Sequence, residues 1–184
     1  MKRLLAFAAS NSRNSINRYL VDYAALLFQD SDKRQAEIEF LDLNDFEMPI
    51  YSIDRENENG IPDLAHSFFN EINSADALLV AFAEHNGSVT AAWKNVFDWM
   101  SRIDTKVWQN KPMVIMAASP GPRAGAGVLG HIATMAPYFG GNIKGSVGIG
   151  RWHDSFDRET MTLTQASDIS LLEVALDALH KPDS

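Results

Sequence analysis

Residues 77–82, Ala-Leu-Leu-Val-Ala-Phe, are apolar without a break, and the chain then turns polar at Glu84-His85-Asn86-Gly87-Ser88 before entering a helical pattern. An apolar run that is continuous rather than alternating fits a parallel strand covered on both faces. Parallel strands need crossover helices, so this one unit already narrows the chain to α/β architectures. After the turn, Val89, Trp93, Val96, Phe97, Met100 and Ile103 recur at helical spacing, with Ser88 placed as an N-cap and Lys94 and Asp98 one turn apart. Open α/β sheets bind ligands beyond the carboxyl ends of their strands, which puts 84–88 at a binding edge. Spacing alone is equally that of an ordinary βα unit.

The same alternation runs from end to end. Strands are expected at Leu4–Ala8, Ile38–Leu41, Ala77–Phe82, Met113–Ala117 and Ile143–Ile149, and helices at Ile16–Phe28, Leu64–Asn73, Val89–Ile103, Gly127–Tyr138 and Thr160–His180. Residues 44–63, with Pro49, Pro62 and mixed charge, read as one long irregular connection, and 181–184 as a frayed tail. A length of 184 residues suits a single domain, 1–184.

Composition removes several classes of function. There is no cysteine, so disulfides, thiolate metal sites and a cysteine nucleophile are excluded, and a reducing cytoplasm fits. A formal charge of -8 argues against sequence-independent nucleic-acid binding, which depends on neutralising phosphates. The basic and then apolar start, Met1 to Ala9, mimics a signal peptide but reads as the first buried strand, and no stretch is long enough to span a bilayer. Histidines 66, 131, 153 and 180 have no metal-ligand spacing, and no serine stands in a G-x-S-x-G elbow.

Three segments, in order along the chain, resemble the NAD(P)H-dependent FMN reductases. Glu84-His85-Asn86-Gly87-Ser88 with Lys94-Asn95-Val96-Phe97-Asp98-Trp99 is similar to that family's P-E-Y-N-G-S-x-P-x-x-L-K-N-x-x-D-W signature. Ala9 to Asn17 resembles its phosphate loop, and Ala118-Ser119-Pro120-Gly121-Pro122-Arg123 its third flavin loop. The resemblance implies a flavodoxin-like, doubly wound five-stranded parallel sheet of order 2-1-3-4-5, helices on both faces, and FMN as cofactor. It places the FMN phosphate on Ser10, Arg13, Ser15 and Asn17, with Ser12 and Ile16 completing the loop's cofactor contacts. Glu84, His85, Asn86 and Gly87 would lie against the ring, and Ser119, Pro120 and Gly121 near its pyrimidine end. The chain departs from the pattern at Arg13, one position later than usual, at His85 in place of Tyr, and at Ala83, Thr90 and Ala91 in place of prolines and a glycine.

Read as chemistry, short hydroxyl and amide side chains at a helix start make an anion site of a size for a monophosphate, and without G-x-x-x-x-G-K-[ST] a nucleoside triphosphate is not indicated. A serine-rich N-cap is the plainer reading of the same residues. The imidazole of His85 is planar, which suits contact with a flavin or a nicotinamide. No catalytic acid–base pair stands out. Gly125-Ala126-Gly127-Val128-Leu129-Gly130 fits G-x-G-x-x-G, but no strand directly precedes it and no acid follows at the right distance, so it reads as helix packing.

The resemblance therefore implies an oxidoreductase that takes hydride from NADPH or NADH onto FMN and passes electrons to a small-molecule acceptor such as a flavin, a quinone or an azo compound. A flavodoxin-like electron carrier, with no enzymatic activity, is the alternative; the first loop lacks the T-x-T-G-x-T pattern of such carriers. On a helical wheel Trp99 lies about 120° from Trp93, off the core stripe. It is thus expected to meet the flavin edge or a second subunit, in a homodimer or homotetramer built through helix 88–103.

Overall fold

The structure, a computed structural model, describes residues 3–30 and 36–179. Five strands, β1 (Arg3–Ala9), β2 (Glu37–Leu41), β3 (Ala77–Phe82), β4 (Pro112–Ala118) and β5 (Asn142–Ile149), form a parallel sheet of order 2-1-3-4-5. Side chains alternate across each strand, and both faces are covered. Leu5, Phe7, Leu78, Val80, Phe82, Met113 and Ile115 pack in one core. It includes residues of α3 (Asp63–Ser74), α4 (Ala91–Ile103) and α5 (Ala126–Met135). Leu4, Ala6, Ala77, Leu79, Ala81, Val114 and Met116 pack in the other, with α1 (Ile16–Gln29) and α7 (Ala166–Ala178). Two-sided burial explains the unbroken apolar run, since each Leu, Val, Ile, Met or Phe side chain in it contributes about 1.5–3 kcal/mol when removed from water.

The register aligns the strand ends. Ala9 pairs with Phe82, and Ala118 with Ile149, so the loops after β1, β3, β4 and β5 emerge along one edge. No described helix is long and apolar enough to cross a membrane.

Four expectations need correction. The 44–63 connection is largely ordered: a 3-10 turn at Leu43–Phe46 precedes α2 (Ile53–Asn59), capped by Ser52, which accepts from the Arg55 N–H at 3.2 Å, and ended by Gly60 at φ 74°. α2 buries no residue, so it has no apolar stripe to announce it. The last helix begins at Ala166, not Thr160, because a short hairpin of β6 (Phe156–Asp157) and β7 (Thr162–Leu163) takes the preceding residues. His180 and the 181–184 tail lie outside the described residues. The helix expected over Gly127–Tyr138 passes at Met135 into a 3-10 turn, Ala136–Phe139.

The last correction concerns Trp99, which is 1% exposed and does not await a partner. Its indole N–H donates to the Pro49 carbonyl at 2.7 Å, and its ring meets Tyr51 edge-on at 5.0 Å. One turn earlier, the Asn95 amide donates to the Met48 and Pro49 carbonyls and accepts from the Tyr51 N–H at 2.8 Å. Segment 48–56 is thus strapped across α4, closed at its far end by Arg102, which donates to Glu56 at 2.9 Å. The apolar surface that Trp99 requires comes from its own chain.

Candidate functional site

At the end of β1 the chain forms a cradle of donors. The buried Ser10 hydroxyl accepts from the Ser12 N–H at 3.3 Å, and the Ser15 N–H donates to the Ser12 carbonyl at 3.1 Å, folding 10–15 into a tight turn. Ser15 is the N-cap of α1, with extended φ −65° and ψ 125°, yet its hydroxyl makes no capping bond. The Arg18 and Tyr19 N–H groups both donate to the Ser15 carbonyl, while those of Ile16 and Asn17 meet no acceptor among the described residues. Two N–H groups without a described acceptor and a buried hydroxyl with no capping bond, at the positive end of a 14-residue helix, are donors of the kind that can hold an anion. Arg13 is exposed beside it, with no hydrogen bond or ion pair among the described residues.

Asn17, expected as a phosphate ligand, has its side-chain amide committed elsewhere. Buried beneath the cradle, it donates through Nδ2 to the Ala118 carbonyl at 3.3 Å and accepts at Oδ1 from the Ala118 N–H at 2.8 Å. It therefore locks the first loop to the end of β4. Thr90 does the same between β1 and α4: its hydroxyl donates to the Ala9 carbonyl at 3.0 Å and accepts from the Trp93 N–H at 3.1 Å. Thr90, not Ser88, is the N-cap of α4.

Ser88 is spent on the turn itself. Its N–H and carbonyl exchange bonds with those of His85, at 3.1 and 2.9 Å, around Asn86 at φ 53° and Gly87 at φ 79°. Positive φ at both central residues makes a type I′ turn, the conformation that Asn-Gly favours. His85 is exposed on it. Glu84 turns away, its Oε2 accepting from the Val128 N–H at 3.1 Å at the start of α5. That carboxylate satisfies an orphan donor and complements the helix dipole. Gly125 and Gly127 are thereby explained as packing: a Cβ at Gly125 would sit 2.4 Å from the Ala117 Cβ, and one at Gly127 would sit 3.0 Å from Glu84 Oε1.

The third loop rests on a platform that the sequence did not reveal. The Ser119 N–H donates to Ile149, the Arg151 N–H to Gly121 and the Trp152 N–H back to Ser119, all at 3.0–3.1 Å. Trp152, buried and stacked on Phe156 at 4.3 Å, holds this platform from below. The Ser119 hydroxyl donates to the Gly121 carbonyl at 3.0 Å, and the exposed Pro120 lies between them. A Cβ at Gly87 or at Gly121 would meet nothing within 4 Å, so open space lies over both glycines. An anion cradle on one loop and open glycine-bearing backbone on the two loops beside it fit a phosphate that carries a flat ring. FMN is such a ligand.

Beside Asn11 a groove of about 250 Å³ opens between segment 43–50 and the start of α4. Leu43, Phe46, Met48 and Ile50 face Ala92 and Val96 across it. The sequence signal for its construction was present, because Asn95 and Trp99 belong to the 94–99 motif; their task, holding segment 48–56, was not visible without the fold.

The family profile described as "NADPH-dependent FMN reductase" matches residues 2–154, which include the loops of residues 10–17, 84–88 and 119–121. An uncharacterized protein of Mycoplasma pneumoniae is 30% identical over 83% of this chain and 90% of its own length. A 2-hydroxy-1,4-benzoquinone reductase of Burkholderia sp is 31% identical over 74% of the chain and 70% of its own length. The match to the quinone reductase of Escherichia coli, also 31% identical, spans 47% of this chain and only about half of that relative, 46%. Among solved structures, FerB, a flavoenzyme NAD(P)H:(acceptor) oxidoreductase from Paracoccus denitrificans, shares the fold with a TM-score of 0.78 at 21% identity, covering 97% of this chain and 95% of that one. The fold, the ordered loops and the profile match agree, and the chain belongs to the NADPH-dependent FMN reductase family of flavodoxin-like, NAD(P)H-dependent oxidoreductases.

Proposed function

We propose that this chain acts as one flavodoxin-like domain that holds FMN across the loops after β1, β3 and β4 and reduces small acceptors of the quinone, flavin or azo type. The observation that carries this reading is the anion cradle of Ser15 with the free N–H groups of Ile16 and Asn17, locked through the Asn17 amide to the loop beneath the ring position. Bound FMN would supply the redox chemistry, accepting hydride from NADPH or NADH and passing two electrons to the acceptor. The protein's own share is position and electrostatics. Ser10, Ser12, Arg13 and Ser15 surround the phosphate with the helix N–H groups, and Asn17 acts through its backbone N–H and by bracing Ala118. Asn86 and Gly87 bring backbone close to the ring while Glu84 fixes the turn's base. Around Ser119 and Pro120, the Gly121 N–H is the donor available to a negative charge on the reduced pyrimidine.

His85 is assigned to the exposed rim, in contact with ring or nicotinamide. In this reading the protein works in the cytoplasm as a homodimer or homotetramer through α4. Ile50 and Ile53, 75% and 52% exposed on the strap beside α4, and not Trp99, offer the apolar surface for it.

Mixing the FMN-loaded protein with NADPH or NADH without oxygen should bleach the flavin within seconds, and a quinone should restore it, with ping-pong steady-state kinetics. His85→Ala should slow the bleaching or raise KM for the nicotinamide about tenfold while FMN stays bound, and His85→Tyr should be tolerated. Flavin that resists both nicotinamides for minutes yet is reduced by a partner reductase would favour an electron carrier instead.

A further inference from the structure

On the far side of the phosphate cradle from the 84–88 turn lies a second pocket of about 250 Å³, between the first turns of α1 and the end of β2. Ser10, Ser12 and Arg13 of the cradle line it together with Arg18, Tyr19 and Asp42. The sheet order accounts for the placement, because β1 has β3 on one side and β2 on the other, so the loop after β1 is shared by two crevices.

The functional reading above uses only the crevice towards β3. The other holds an arrangement with its own chemistry. Asp42, the residue directly after β2, uses one carboxylate oxygen, Oδ1, to accept from the Asn44 backbone N–H at 2.9 Å and from its side-chain amide at 2.7 Å. Among the described residues its second oxygen has no partner. The Asn44 backbone N–H foremost, and then its side chain, Arg18 and Arg13, hold this carboxyl below the usual aspartate range, so it is an anion at neutral pH. Arg13 is likewise uncommitted, and Arg18 is fixed by Asp22 at 2.8 Å while its guanidinium lies over the Phe40 ring at 5.6 Å.

A carboxylate at the end of the strand beside a β1–α1 phosphate loop is where dinucleotide-binding folds receive ribose hydroxyls. Here the same relation arises without the glycine fingerprint, on a sheet of different order. The pocket lies below the roughly 300–1,000 Å³ of a whole small-molecule site, which suits a nucleoside portion and not a complete dinucleotide.

We propose that this pocket is a subsite for an adenosine 5′-phosphate group, with Asp42 accepting from the ribose hydroxyls and Arg13 facing the phosphate. The group would arrive either joined to the flavin phosphate, as in FAD, or as the adenylate half of NADH or NADPH. The assignment rests on the reading of residues 10–17 as a phosphate cradle.

The test is calorimetric titration of the FMN-loaded protein with 5′-AMP, repeated in Asp42→Asn and Arg18→Gln. Asn can keep the Oδ1 acceptor for Asn44 while losing the charge, and Arg18→Gln is a second route should the first disturb the turn. One-to-one AMP binding is expected, weakened at least fivefold in both variants, with FMN affinity unchanged. If the adenylate is carried by the flavin, FAD should bind more tightly than FMN and Asp42→Asn should abolish the difference. If the nicotinamide carries it, AMP should compete with NAD(P)H and Asp42→Asn should raise KM at constant kcat. FMN-loaded protein that binds no AMP, or binds it equally well in both variants, would overturn the subsite alone. Protein that binds AMP but no FMN would instead sink the flavin reading.

Discussion

Trp99→Ala should destabilise the fold by about 3–5 kcal/mol, the usual cost of removing a large buried aromatic. Three losses coincide at this position. The cavity left under segment 48–56 cannot collapse, because Asn95 still holds the Met48 and Pro49 carbonyls from the preceding turn. The Pro49 carbonyl keeps Asn95 but loses the shorter of its two bonds, that to the indole at 2.7 Å. Tyr51 loses its edge-to-face partner, an aromatic contact of about 0.5–1.5 kcal/mol beyond area burial. Urea unfolding followed by Trp fluorescence and circular dichroism measures the change. The loss should be independent of protein concentration, because Trp99 packs within its own chain. A loss seen only on dilution would return Trp99 to a subunit interface.

Asn17→Asp should have the other large effect, and on a different quantity. The carboxylate can still accept from the Ala118 N–H, but it faces the Ala118 carbonyl without a proton to give. Leaving a buried acceptor unsatisfied costs roughly 1–3 kcal/mol, so the protein should remain folded. The new negative charge lies directly beneath the anion cradle, however, in a site partly shielded from water. FMN affinity should fall by more than tenfold, about 1.4 kcal/mol or more, and riboflavin affinity much less. Equal losses for FMN and riboflavin would show that Asn17 acts only by bracing the third loop.

What could be read without coordinates follows from which interactions are local. Strands β1, β3 and β4 announced themselves because each is buried on both faces, whereas β2 and β5, at the edges of the sheet, are only partly buried; the 84–88 turn showed as a polar, glycine-containing break after β3. The order of the strands came only with the family resemblance, since spacing does not determine it. Ser88 looked like the cap of α4 because it is the first suitable residue after the glycine. Its backbone is needed to close the turn on His85, and Thr90 caps instead while also holding Ala9. α2 escaped because a helix that buries nothing carries no apolar period, although Ser52, Asp54, Glu56 and Gly60 are ordinary start and stop signals. The bonds of the Asn17 side-chain amide to the end of β4 went unforeseen, and Trp99 was given the wrong partner. Their partners, Ala118 and Pro49, are 101 and 50 residues away, and such contacts leave no trace in spacing.

The central claim is that the loop of residues 10–17 holds the phosphate of a flavin whose ring lies over the 84–88 and 119–121 loops. The most direct measurement is the ratio of dissociation constants for riboflavin and FMN, by fluorescence titration of the apoprotein and of Ser15→Ala. Ser15 contributes no capping bond to α1, so its loss should leave stability nearly unchanged. FMN should bind at least 100-fold more tightly than riboflavin, about 2.7 kcal/mol, and Ser15→Ala should cut that ratio severalfold without weakening riboflavin. Equal affinity for the two flavins, or no binding of either, would contradict the account.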